Sequence, residues 1–93
     1  MIQSFKHKGI KRFFEQGSLK GILPAHAQRL EDILTALNAA SKPDHMSFPG
    51  FHLHPLKGDR AGEWAVTVRA NWRVTFRFDT EQHVTDVNYE DYH

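Results

Sequence analysis

The sequence predicts an α+β fold in which two helices pack on the apolar face of an antiparallel β-sheet. Three observations predict it. Apolar residues recur twice at helical spacing within the first forty positions. After Pro49-Gly50 the apolar period changes to two and stays there. At 93 residues, with 40% apolar and 12% aromatic content, the chain has material for one core and one domain, spanning 1–93.

The elements follow in order. Ile2 to Phe5 is a short strand. From about His7, Ile10, Phe13 and Phe14 mark a first helix, with Gly17 as its left-handed terminator. Gly9 inside that helix weakens it by about 1 kcal/mol relative to Ala. Pro24 suits the first turn of a second helix, because its missing N–H is unsatisfied there anyway. Ala27, Leu30, Ile33 or Leu34, and Leu37 form its apolar stripe, with Arg29, Glu31 and Asp32 outside, and it ends between Asn38 and Pro43. Phe51 to His54 reads as a strand. Trp64, Val66 and Val68 then alternate with Ala65, Thr67 and Arg69, and Trp72, Val74, Phe76 and Phe78 with Arg73, Thr75 and Arg77. Burying both apolar sets on one face pairs even positions with even ones. That requires an odd loop, most simply Arg69-Ala70-Asn71 with Asn71 at positive φ. Thr67, Arg73, Thr75 and Arg77 then share the opposite face, and Arg69 and Arg77 read as exposed. Trp64 and Trp72 read as core. Val84 to Tyr89 is the last strand, with Tyr89 on the core side beside Val87.

The absence of cysteine removes disulfides and thiolate metal sites and fits a reducing, cytoplasmic setting. The opening Met-Ile-Gln-Ser-Phe-Lys-His-Lys lacks the apolar stretch of a signal peptide. No apolar run approaches the roughly 20 residues a membrane span needs. The net charge of +1 excludes generic polyanion binding, but the charge is unevenly placed. Residues 51–77 hold Lys57, Arg60, Arg69, Arg73 and Arg77 against two acids, whereas residues 79–93 hold five acids and no Lys or Arg.

Two stretches stand out for chemistry, FHLHPLKGDR and the terminal NYEDYH. His52 and His54 are two apart, and on a strand would point the same way. Together with His93 they would supply three imidazoles, either for a metal or for acid–base work. A metal needs three or four ligands on fixed elements, and Pro55 after His54 interrupts the strand. Acid–base chemistry asks for less. Cleaving RNA without a metal takes a base for the 2′-OH, an acid for the departing 5′-oxygen and cations on the phosphate. His54, His93, Lys57, Arg60 and Arg73 match those needs, Tyr92 suits stacking on a base, and Asp91 suits orienting an imidazole. His7, His26, His45 and His83 receive no role, and Lys57-Gly58-Asp59-Arg60 reads by default as a solvated turn.

HPLKGDRAGEWAVTVRANWRVTFRF followed by the terminal NYEDYH resembles the HigB-type toxins of the RelE/ParE superfamily. The opening MIQSFKHKGIKRFFEQG resembles their first strand and helix, so the likeness covers nearly the whole chain. It implies the compact microbial RNase fold, with two N-terminal helices on a twisted antiparallel sheet. It implies a ribosome-dependent endoribonuclease that cuts translated mRNA in the ribosomal A site and needs no cofactor. Its implied partners are a HigA-type helix-turn-helix antitoxin, the ribosome and mRNA, with operator DNA bound only through the antitoxin complex. Its catalytic residues fall on His54, Asp91, Tyr92 and His93, and its phosphate contacts on Lys57 and Arg73. The negative α-carboxylate beside the His93 imidazole favours imidazolium, which assigns His93 as acid and His54 as base. ParE-type relatives poison gyrase instead, so a non-catalytic toxin that docks a protein is the alternative.

Overall fold

In a computed structural model, described for Met1–Tyr92, the chain forms helix α1 (Lys8–Gln16) and helix α2 (Ala27–Ala39), followed by strands β1 (His54–Pro55), β2 (Trp64–Arg69), β3 (Trp72–Phe78) and β4 (Val84–Asp91). The four strands form one antiparallel sheet in the order β1-β2-β3-β4. The expected α+β architecture is therefore present. Ile10, Leu30, Ile33, Leu34 and Leu37 from the helices meet Val66, Val74, Phe76, Val84 and Val87 from the sheet in one buried cluster.

Gly17 ends α1 in the left-handed region (φ 72) and donates its N–H to the Phe13 carbonyl at 2.9 Å. At the other end, His7 caps the helix, its Nδ1 accepting the Ile10 N–H at 3.1 Å. Gly9 has a packing reason to be there. A Cβ on it would lie 3.0 Å from the Gly21 carbonyl oxygen and 2.7 Å from the His7 ring. The loop after α1 thus folds back on the helix at its one residue without a side chain. Pro24–His26 form a 3₁₀ turn leading into α2. Arg29 departs from the expected outward position. Its guanidinium donates to the Thr67 carbonyl and to the Gly50 carbonyl and lies 4.7 Å from the centre of the Phe51 ring. It ties α2 to the edge of the sheet.

The hairpin pairs even positions with even ones, Trp64 with Phe76 and Val66 with Val74. The odd count comes from a bulge rather than a three-residue loop. Arg69 pairs with Trp72, Ala70-Asn71 make the turn, and Ala70, not Asn71, takes the positive φ of 52. A second bulge, with Asp86 at φ 55, lets Val84, Val87 and Tyr89 all face inward from β4. Ile2 to Phe5 is shorter than a strand. It makes two isolated parallel bridges, Ile2 to Val84 and Phe5 to Val87, along the free edge of β4. The expected strand from Phe51 to His54 is interrupted because His52 turns left-handed (φ 52), leaving the two-residue β1 and a bond from the Thr67 N–H to the Phe51 carbonyl at 2.7 Å.

Candidate active site

The sheet face turned away from the helices was expected to carry Thr67, Arg73, Thr75 and Arg77, with Arg77 exposed. There Thr75 is fully buried, Glu63 is 4% exposed and Arg73 is 8% exposed. The cause is pairing. The segment between β1 and β2, closed by a Leu56 N–H bond to the Glu63 carbonyl at 2.9 Å, brings Arg60 over the sheet. Arg60 donates from Nε and one terminal nitrogen to the Glu63 carboxylate at 3.0 and 2.9 Å, and its other terminal nitrogen lies 2.8 Å from Glu90. Glu90 stands directly opposite Arg73 in the register of β3 and β4, and accepts from Arg73 Nε at 3.0 Å. Arg77, expected to be exposed, is only partly so and reaches Glu63 at 3.7 Å and Asp86 at 3.9 Å. Charges this close relax each other's desolvation, so the chain Arg77–Glu63–Arg60–Glu90–Arg73 is a rigid polar floor. Its hydrogen bonds from Arg60 hold the Glu63 carboxyl below the usual carboxylate range against the opposing effect of burial, and the Arg60 guanidinium is held still more firmly protonated.

This floor shapes a concavity of about 560 Å³ whose walls include His54, Lys57, Arg60, Trp72, Arg73 and Tyr92. Five of the seven candidate residues therefore converge from four separate places in the chain. Asp91 sits at the end of β4 opposite Trp72, and His93 lies outside the described residues. Tyr92 is 57% exposed; its N–H binds the Asn71 carbonyl at 2.7 Å, and its ring lies 4.0 Å from the Arg73 guanidinium carbon. One ring face is thus covered by a cation. Among the described residues the terminal nitrogens of Arg73, a residue that lines the concavity, have no hydrogen-bond partner. Lys57 makes no ion pair among the described residues, whereas every N–H edge of Arg60 points at a carboxylate.

His54 shows a defined tautomer. Its Nδ1 lies 2.8 Å from the His52 carbonyl oxygen, which can only accept, so Nδ1 carries the proton and, in the neutral ring, Nε2 holds the lone pair. His52 serves through its backbone, and its left-handed turn brings that carbonyl into reach.

Trp72 was expected in the core and is only partly buried, because one side packs on Tyr89 (centroids 4.6 Å apart) while it also lines the concavity. Behind it, His26 and Tyr89 form a buried hydrogen bond of 2.6 Å. Burial, helped by the Arg69 charge, pushes the His26 pKa down, and burial pushes the Tyr89 phenol up. Both are neutral near pH 7 and share one hydrogen bond between the phenol and His26 Nδ1. His26 thus has a structural part that its sequence position did not reveal. Glu63 and Glu90 were also missed. The available signal was that Glu90, next to inward-facing Tyr89, must turn to the same face as Arg73.

Two comparisons bear on this geometry. A family model described as the RelE-like toxin of the type II toxin–antitoxin system HigB matches residues 3–93. A Proteus vulgaris protein named Endoribonuclease HigB is 47% identical over 94 residues, an alignment that covers the full length of both chains.

Proposed function

Since the chain belongs to the HigB-like family of RelE-like type II toxins, whose partner is an antitoxin, we propose that it is an endoribonuclease that cuts mRNA on the ribosome. The relative's name supports the RNase activity. The observation that carries the chemistry is the convergence of His54, Lys57, Arg73 and Tyr92 on one concavity floored by ion pairs.

In this reading Nε2 of His54 takes the proton of the 2′-OH. The 2′-oxygen attacks the adjacent phosphorus, the bond to the 5′-oxygen breaks, and an acid returns a proton to that oxygen. The strand is left with a 2′,3′-cyclic phosphate and a free 5′-hydroxyl. His93, which follows Asp91 and Tyr92 in sequence, is the acid. The terminal nitrogens of Arg73 and the Lys57 ammonium neutralise the phosphate as charge builds, which is where fixed cations act most strongly. Arg60 contributes by holding Glu90, and through it the angle of Arg73, rather than by direct contact. The open face of Tyr92 stacks on a base. With a net charge of +1, affinity for free RNA is weak and salt-sensitive. The ribosome supplies the docking and holds the message in the A site in an attackable geometry. The antitoxin is of the HigA helix-turn-helix type, operator DNA is bound only through the complex, and the site of action is cytoplasmic. No helix among the described residues is long and apolar enough to cross a membrane.

Primer extension on a defined mRNA in a purified translation system, with and without ribosomes, tests the reading. Cuts within codons that appear only during translation are expected, and a His54→Ala protein should not make them. Efficient cleavage of naked mRNA at physiological salt would remove the ribosome from the account. Undisturbed mRNA in both lanes would move the weight to a protein-docking toxin.

A further inference from the structure

His52 holds a backbone conformation, φ 52, that residues with a Cβ adopt only at a cost. Such strain persists where the surroundings over-determine it, and here they do. In an antiparallel pair the bonded positions recur every second residue. The Leu56 N–H bonds the Glu63 carbonyl, and His54 pairs with Ala65. Continued in step, that register would bring the Thr67 N–H to the His52 carbonyl. The Thr67 N–H instead bonds the Phe51 carbonyl at 2.7 Å. Three steps of chain from Phe51 to His54 therefore face two from Thr67 to Ala65, and the left-handed residue takes up the extra one as a bulge. Phe51, buried on one side of it, and Leu53, packed against the core on the other, keep the chain from slipping back into step. Arg29 adds a further tie by donating to the Gly50 carbonyl.

The bulge has a chemical result. It releases the His52 carbonyl from the ladder, and that carbonyl is the one 2.8 Å from His54 Nδ1. On the other side, Pro55 restricts the backbone of the residue before it to extended conformations, so His54 is held from both directions. The imidazole of His52 takes no part. It is exposed, and among the described residues it makes no hydrogen bond or ion pair. We propose that His52 is a positioning residue for RNA cleavage that acts through its main chain, its left-handed carbonyl fixing the ring of His54 and reserving Nε2 for the 2′-OH proton. This rests on the reading of His54 as the base. When Nε2 takes that proton the ring becomes cationic, and the charge is shared with the Nδ1–H. The bond to the His52 carbonyl then changes from a neutral to a charge-assisted one and strengthens. An interaction that strengthens along the reaction lowers the barrier without changing how tightly substrate binds. Without the carbonyl, the neutral ring is free to carry its proton on either nitrogen, and the wrong tautomer presents an N–H to the 2′-OH.

The test changes what the backbone at position 52 can do in the full chain. Valine, branched at Cβ, is strongly disfavoured at positive φ, whereas glycine and asparagine adopt it readily. His52→Val should lower kcat on ribosome-bound mRNA by about 10- to 100-fold, as losing one hydrogen bond to a charged group would, with KM little changed. His52→Gly and His52→Asn should rescue the rate although both lack the imidazole. Proton–nitrogen correlation spectra of protein labelled at histidine, with His54 assigned by its loss in His54→Ala, give a second readout. The neutral wild-type ring should carry its proton on Nδ1, and the valine variant should show a mixture of tautomers. Melting curves establish that the valine variant is folded. Should it not fold, the wild-type spectrum and the glycine variant decide. A ring protonated at Nε2, or a glycine variant as slow as His54→Ala, would overturn the proposal. So would a folded His52→Val protein with the wild-type kcat. Failure of the base reading looks different, since His54→Ala would then cut at the wild-type rate while the wild-type ring still carried its proton on Nδ1.

Discussion

His54 is exposed, and among the described residues its only side-chain hydrogen bond is through Nδ1 to the neighbouring backbone. Replacing it by Ala should therefore leave the melting curve in place and lower the cleavage rate by about 10²- to 10⁴-fold, the usual worth of one proton-transfer group. A single-turnover assay on ribosome-bound mRNA checks this, and a wild-type rate in a folded variant would end the assignment. Thr75 makes the opposite kind of prediction. Its hydroxyl is fully buried and has no hydrogen-bond partner among the described residues. Thr75→Val keeps the shape and removes a desolvated polar atom, so stability should be unchanged or higher by about 1 kcal/mol. Thermal denaturation reads it directly, and a clear loss would mean that the hydroxyl has a partner. At this scale the sequence was informative about residue types and poor about their pairing. Arg73 and Tyr92, named as candidates from the chemistry they offer, do line one concavity. The Arg73–Glu90 and Arg60–Glu63 contacts could not be named, because they depend on strand register and on how the segment 56–63 folds over the sheet.

At the scale of elements, α1 offers a test in which propensity and packing disagree. Helix propensity alone says that Gly9→Ala stabilises by about 1 kcal/mol. The Cβ would press on the Gly21 backbone oxygen and the His7 ring, which caps the helix. Overpacking of this kind costs about 1–3 kcal/mol, so chemical denaturation should show a less stable protein. A gain would show that the loop at Gly21 yields easily. In the ion-pair floor, Glu63→Gln leaves Arg60 and Arg77 without that carboxylate. Arg60 is about one-third exposed and partly solvated, so the expected loss is about 1–3 kcal/mol rather than the full cost of a stranded buried charge. Both helices and the central hairpin were legible because each repeats one period over many residues. The edges were not. His52 enters the left-handed region, two bulges shift the register, and the N-terminal segment pairs with β4 through two isolated bridges instead of a continuous strand. Such irregularities are single-residue events that periodicity averages away.

For the whole molecule, the clearest solution property is acid sensitivity. Burial lowers the pKa of both His7 and His26 below 6.5. The unfolded chain therefore takes up protons first as pH falls, so stability is full above about pH 6.5 and declines below it until the folded-state values are passed. Protonation would also remove the His7 Nδ1 lone pair that caps α1. The melting temperature should fall between pH 7.5 and pH 5, and His26→Gln should flatten that fall; a level profile in the wild type would contradict the burial of neutral imidazoles. The order in which the chain is made carries one more consequence. Val84 and Val87 of β4 bond to Met1–Lys6 on one side, while β4 pairs with β3 on the other. Until the last strand has emerged, the opening residues lack these backbone partners and keep only contacts such as Ile2 N–H to the Asn38 side chain and Phe5 on Phe14. Contacts as distant in sequence as those with β4 close late. Tyr92 and the groove wall come with that same strand. A nascent chain halted before Val84 should be readily cut by protease near its first helix, and without Tyr92 and its groove wall it should cleave no RNA.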